Sequence, residues 1–195
     1  MPKSVTVKRK TSETDISIQL NLYGKGKYDI KTGIAFLDHM LSLFAKHGLF
    51  DLKIKAKGDL DVDIHHTNED VAITLGEAFS AALRNCAGIK RFGDAMVPMD
   101  EALARAVVDI SGRPYVKFQV KARPKDITDY SFNYLEQFLR ALSVSAKMTI
   151  HLDIFEGRDM HHVLEASFKA LGRAFMKAVE KEPRAKGVPS TKGKI

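Results

Sequence analysis

The chain is short of residues that mark several protein classes. Of 195 residues, one is cysteine and none is tryptophan. A lone Cys86 closes no internal disulfide and excludes four-thiolate zinc and iron–sulfur sites; it reads as a buried, inert thiol. No run of about 18 apolar residues exists, so no membrane-spanning helix is expected. "MPKSVTVKRK" lacks the apolar centre of a signal peptide, and a soluble, cytoplasmic protein is the expectation.

Acidic residues are outnumbered, 24 Asp and Glu against 31 Lys and Arg, for a formal charge of +7. Residues 181–195, "KEPRAKGVPSTKGKI", hold five of the basic residues and one Glu, so +4 lies in the tail and +3 in the body. No aromatic residues interleave with the tail's cations to stack on bases, which argues against a nucleic-acid arm. With 45% hydrophobic residues, the chain can bury the core of one domain or of two fused halves.

The sequence is written twice. "DIHHTNEDVAITLGEAF" begins at Asp63 and "DMHHVLEASFKALGRAF" at Asp159. The two share Asp, His, His, Glu, Leu, Gly, Ala and Phe at an offset of 96. The flanking periodicities also repeat. "SVTVKRKT" and "TDISIQLNLY" read as strands, "IAFLDHMLSLFAKHG" as a helix, "FDLKIKAKG" as a strand, and about 64–85 as a helix. In the second half, "EALARAVVDIS" and "PYVKFQVKA" read as strands, "YSFNYLEQFLRALSVSA" as a helix, "KMTIHLDIFEG" as a strand, and Asp159 to about Glu180 as a helix. Each half is thus expected to be β-β-α-β-α, an α+β layer with helices on one sheet face, related to the other by a pseudo-twofold. The expected division is 1–87, 88–185 and a basic tail, 186–195, with the seam near "GIKRFGDA".

Asp63 and Asp159 stand where an N-cap belongs, which places both histidine pairs in the first turn of a helix. Adjacent helical side chains point about 100° apart. One pair therefore serves two metals on either side of a helix end better than it chelates one. Glu69 and Glu165 follow one turn later and reach the same side. The positive helix end disfavours imidazolium and favours carboxylate, and so holds both in metal-binding form. A lone pair reads as accident or surface, but duplication has no structural need to keep titratable residues at both helix starts. His39 is a further candidate. Nitrogen and oxygen donors without thiolate suit Mn, Fe, Zn or Ni. His47 reads as a helix-end histidine and His151 as a structural or surface one. Arg91, Arg113 and the Ser190, Thr191 and Lys192 of "PSTKG" are candidates for a phosphate monoester, against a plain solvated-charge reading. Lys169 reads as an ion-pair partner of Glu165.

In order, "RKTSET", "FLDHML", "DIHHTNEDVAITLGEAF", "IKRFGDAMVPMDEAL", "DISGRPY", "HHVLEASFKALGRAF" and "PSTKG" closely resemble the imidazoleglycerol-phosphate dehydratase family over nearly the whole chain. The resemblance implies a duplicated fold like ribosomal protein S5 domain 2. It also implies trimers assembled into a 24-subunit homo-oligomer, and two Mn2+ per active site at subunit contacts. By motif, the metal ligands would be His39, His65, His66, Glu69, His161, His162 and Glu165. Glu13 would be the acid/base group and Lys169 a catalytic residue. Arg91, Arg113, Ser190 and Lys192 would hold the phosphate of an imidazole substrate, with the tail closing over it and with no nucleic-acid or membrane partner. The family's further histidine in a "VEHFF"-like helix is replaced here by Gln137, which either ligates weakly through oxygen or yields its place to water. Two other readings fit the same residues: a dinuclear phosphate-ester hydrolase, and a metal-free S5-like RNA-binding protein.

Overall fold

A computed structural model describes residues 4–124 and 129–195. Twelve elements follow in chain order. The first half has β1 (Val5–Lys10), β2 (Thr14–Asn21), β3 (Tyr28–Lys31), α1 (Ala35–Gly48), β4 (Asp51–Gly58) and α2 (His65–Leu83). The second has β5 (Phe92–Met99), β6 (Ala102–Asp109), β7 (Tyr115–Val120), α3 (Phe132–Ala146), β8 (Thr149–Glu156) and α4 (Met160–Val179). The sheets are ordered β1-β2-β4-β3 and β5-β6-β8-β7. In each, the third strand pairs parallel with the fourth and a helix makes the crossover, which keeps the helices on one face.

The α+β duplication is as expected, but each half carries one more strand than β-β-α-β-α. β3 has four residues, with Ile30 alone turned toward the core, too short for an alternation to register. β5 begins at Phe92, inside the stretch read as a seam. Its Gly93 and Pro98 argue against a strand, but β5 lies at a sheet edge, where proline is tolerated.

The inward faces explain the packing. β2 buries Thr14, Ile16, Ile18 and Leu20, whereas β6 buries Ala102, Ala104, Ala106 and Val108. The small residues let α4 lie close on the second sheet: a Cβ on Gly93 would stand 2.0 Å from the Ala174 carbonyl oxygen. Helices also pack across the halves, α1 on α4 and α2 on α3. Gly172 and its mate Gly76 mark these crossings. A Cβ on Gly172 would lie 2.5 Å from the Phe44 oxygen, and one on Gly76 2.8 Å from the Leu142 oxygen. The repeat mates Phe79 and Phe175 meet edge to face with ring centroids 5.0 Å apart, beside Phe44 and Phe50. The shared Gly and Phe of the repeat are therefore the contacts between the halves.

Gly172→Ala should destabilise the fold by about 1–3 kcal/mol, because a backbone oxygen occupies the space a methyl needs. Urea unfolding measures this; an unchanged midpoint would mean that the helices do not cross so closely.

Candidate metal centre and anion cavity

The two helix starts are built alike. Asp159 caps α4, its carboxylate accepting from the backbone N–H of His161 and His162. At α2 the capping position falls on Ile64, yet Asp63 still accepts from the His65 N–H at 2.6 Å. Both histidine pairs thus open a helix, with rings turned apart: 73° between His65 and His66, 87° between His161 and His162.

At α4 the rings point to different partners. His161 Nε2 lies 3.2 Å from Glu165 Oε1, and His39 Nε2, from α1, lies 2.8 Å from the same oxygen. One ligand atom from each of the three residues falls within 4.8 Å of the others. His39 therefore belongs with the second-half histidine, across the α1–α4 contact. Glu165 Oε2 accepts from Lys169 Nζ at 2.5 Å, and both side chains are largely buried, 10% and 15% exposed. Burial would raise the Glu165 pKa, but hydrogen bonds from Lys169 and then His39 outweigh it and bring it down to about 2. Lys169 thus forms the expected ion pair, and it fixes a carboxylate that two imidazoles share.

His162 turns the other way. Its Nδ1 lies 2.8 Å from Glu101 Oε2, while Glu101 Oε1 accepts from the backbone N–H of Arg158 and Asp159. His66 repeats the arrangement, with Nδ1 2.9 Å from Asp59 Oδ2 and 3.8 Å from Glu13 Oε2. A carboxylate on Nδ1 leaves Nε2 as the free donor atom and orients the ring, the usual support of a metal-binding histidine. Glu101 and Asp59 escaped the sequence reading. Asp59 lies in the acidic run "GDLDVDIHH", a signal available locally; Glu101 is 61 positions from His162 and gives none. The hydrogen bond from His162 holds Glu101 to a pKa of about 2, and Asp59 and Glu101 raise those of His66 and His162. His65 is looser, with Nε2 3.8 Å from Glu69 Oε2.

The expected anion residues meet elsewhere. Arg91, Ser111, Arg113, Ser190, Thr191 and Lys192 line one cavity of about 290 Å³. Arg91 is fixed by Asp109, at 2.7 and 3.2 Å, and donates to the Pro189 carbonyl at 3.0 Å, which ties the tail down. His47 lies in the last turn of α1, as read, and burial, then Lys169 and Arg173, pushes its pKa down; Cys86, expected to be buried, is only half-buried. His151 is half-buried, its ring 5.9 Å from Tyr115.

A profile of the family described as imidazoleglycerol-phosphate dehydratase matches residues 32–175. The chain belongs to that family. It is 53% identical over 191 residues to the imidazoleglycerol-phosphate dehydratase of Caldanaerobacter subterraneus subsp. tengcongensis, with 98% of each chain covered. It is 54% identical over 189 residues to that of Clostridium botulinum strain Okra, with 97% of this chain and 96% of that one covered. Among solved structures, the Pyrococcus furiosus enzyme in complex with (S)-C348 superposes with a TM-score of 0.83 at 39% identity, covering 96% of this chain and 99% of that one. The Staphylococcus aureus enzyme gives 0.79 at 35% identity, covering 91% and 100%. The chain is thus a dehydratase, a hydro-lyase of histidine biosynthesis, with the duplicated fold of those structures.

Removing the Glu101 charge should lower the His162 pKa in metal-free protein, because a carboxylate on Nδ1 favours imidazolium. An NMR pH titration of Glu101→Ala should show the His162 midpoint moved down, with the other histidines unmoved. An unshifted midpoint would mean that the contact does not exist in solution.

Proposed function

We propose that this chain converts imidazoleglycerol phosphate to imidazole-acetol phosphate by loss of water, using two Mn2+ ions in each active site. The observation that carries the reading is the pair of His-His-x-x-Glu helix starts, each with one imidazole oriented by a carboxylate. His39, His161 and Glu165 would hold one ion, and His65 and Glu69 the other. His66 and His162 present Nε2 to ions shared with neighbouring copies. The donor set fits such ions: nitrogen and oxygen without thiolate suit a borderline divalent cation. Asp59 Oδ1 and Gln137 Oε1, beside the α2 start, are buried with no hydrogen-bond partner among the described residues, as atoms awaiting a cation or its water are. When bound, two such ions supply Lewis acidity and a template for the imidazole ring.

The chain's own groups do the rest. Glu13 stands at the β1–β2 turn beside His66, placed to give a proton to the leaving hydroxyl or take one from the neighbouring carbon. Lys169 keeps Glu165 ionised and aimed. Arg91, Arg113, Ser190 and Lys192 grip the phosphate, and the tail, residues 186–195, closes over it. Binding energy at that non-reacting end orients the ring for the chemistry.

Geometry supports a site shared between subunits. Arg91 N–H donates to the Ala178 carbonyl, thirteen residues beyond Glu165 on α4. At about 1.5 Å per residue that is about 20 Å along the helix. Five bonds from ring to phosphorus, at about 1.5 Å each, span no more than about 8 Å. The His39–His161–Glu165 cluster of one chain and its own anion cavity are thus too far apart for one substrate. A homo-oligomer, a 24-mer of trimers as the family resemblance implies, brings them together from different copies. The tail's place in the anion cavity favours a small phosphate over nucleic acid, and a cytoplasmic location accords with the biosynthetic role.

Two outcomes are expected. With manganese, the purified protein forms imidazole-acetol phosphate without releasing inorganic phosphate, and Glu13→Gln slows turnover by about 10²–10⁴-fold; phosphate release, or an unslowed variant, contradicts the assignment. Co-assembled Arg91→Ala and His161→Ala chains, each inactive alone, should recover activity through mixed sites. No recovery in demonstrably mixed oligomers would place the whole site within one chain.

A further inference from the structure

The two helix starts are not chemically equal, and α3 is the reason. The αL cap residues Leu49 of α1 and Lys147 of α3, at φ 56° and 55°, align these helices at an offset of 98. The packing confirms the alignment. Gly172 faces the Phe44 oxygen and the Gly48 nitrogen, and Gly76 faces the Leu142 oxygen and the Ala146 nitrogen, which are the same two positions. The offset makes Gln137 the mate of His39. Asn68, next to Glu69, donates its amide to the carbonyl of Tyr134, one turn before Gln137, at 3.0 Å. Gln137 therefore stands toward His65 and Glu69 as His39 stands toward His161 and Glu165. Its Oε1 is buried and has no hydrogen-bond partner among the described residues, although a buried amide oxygen is costly to leave unpaired.

We infer that Gln137 supplies an amide oxygen to the cation position at His65 and Glu69, making that position oxygen-rich and weaker than its mate at His39, His161 and Glu165. This deepens the two-ion reading above and rests on it. An imidazole favours borderline transition ions, whereas an amide carbonyl suits harder ones and releases them more readily. The His39 position retains its ion through purification. The Gln137 position exchanges with the surrounding pool and accepts Mg2+ or Mn2+ with less discrimination. Occupancy of the second position, and with it activity, then follows available metal over a range in which the first position stays filled.

The test is calorimetric titration of the metal-stripped, full-length protein with Mn2+, with elemental analysis after dialysis against graded chelator. The wild type should bind in two phases and lose one ion well before the other. Gln137→His should tighten the weak phase about tenfold or more, leave the tight phase alone, and add one further 14N coupling to the weak-site Mn2+ spin-echo spectrum. Gln137→Ala should weaken the weak phase further, and His39→Gln should weaken the tight phase toward it. Two phases that ignore both Gln137 variants would overturn the inference while leaving the two-ion reading intact. No Mn2+ uptake by any variant would overturn both.

Discussion

The close crossing of α1 over α4 at Gly172 is the constraint on which the site depends. With no side chain at that residue, the α1 backbone comes within reach of α4. Two turns toward the N-terminus of α4, His39 then meets Glu165, in a contact between residues 126 apart in sequence. A bulkier residue at the crossing would lever the helices apart and take the His39 imidazole out of the cluster. The Phe79–Phe175 contact near the pseudo-twofold sets the same spacing from the other side. The core is thus what turns two copies of a helix start into donor clusters.

Around that crossing, carboxylates and cations hold the imidazoles and Glu165 in place. Glu165 is buried but ionised, because Lys169 and two imidazoles share its oxygens. Asp59 and Glu101 occupy Nδ1 of one histidine in each pair, which leaves Nε2 available. The halves reach this end by different routes: Asp59 comes from the β4–α2 connection, Glu101 from the β5–β6 turn. Duplication kept the paired histidines and the glutamate, and each half found its own supporting carboxylate.

Much of this was legible in the chain itself. The offset of 96 linked the helix starts, and alternation marked β2, β4 and β8, because these features are local. The strands that escaped were β3, too short to show a period, and β5, whose glycine and proline are affordable only at an edge. Nothing in the sequence joined His39 to the second-half histidine rather than to its own half, since that pairing arises where helices cross. The support of His162 by Glu101 was hidden because it comes from a turn 61 positions away. Arg91 and the tail could be named as candidate anion binders from residue type, but their distance from Glu165 appears only once α4 is seen to separate them.

The central claim is that each helix start is half of a two-cation site. Its most direct test is anomalous diffraction from crystals grown with Mn2+, collected on either side of the manganese edge. The account predicts two peaks per chain, one within bonding distance of His39, His161 and Glu165 and one beside His65 and Glu69. Maps with no anomalous peak at either cluster, or with manganese bound only elsewhere on the chain, would contradict it.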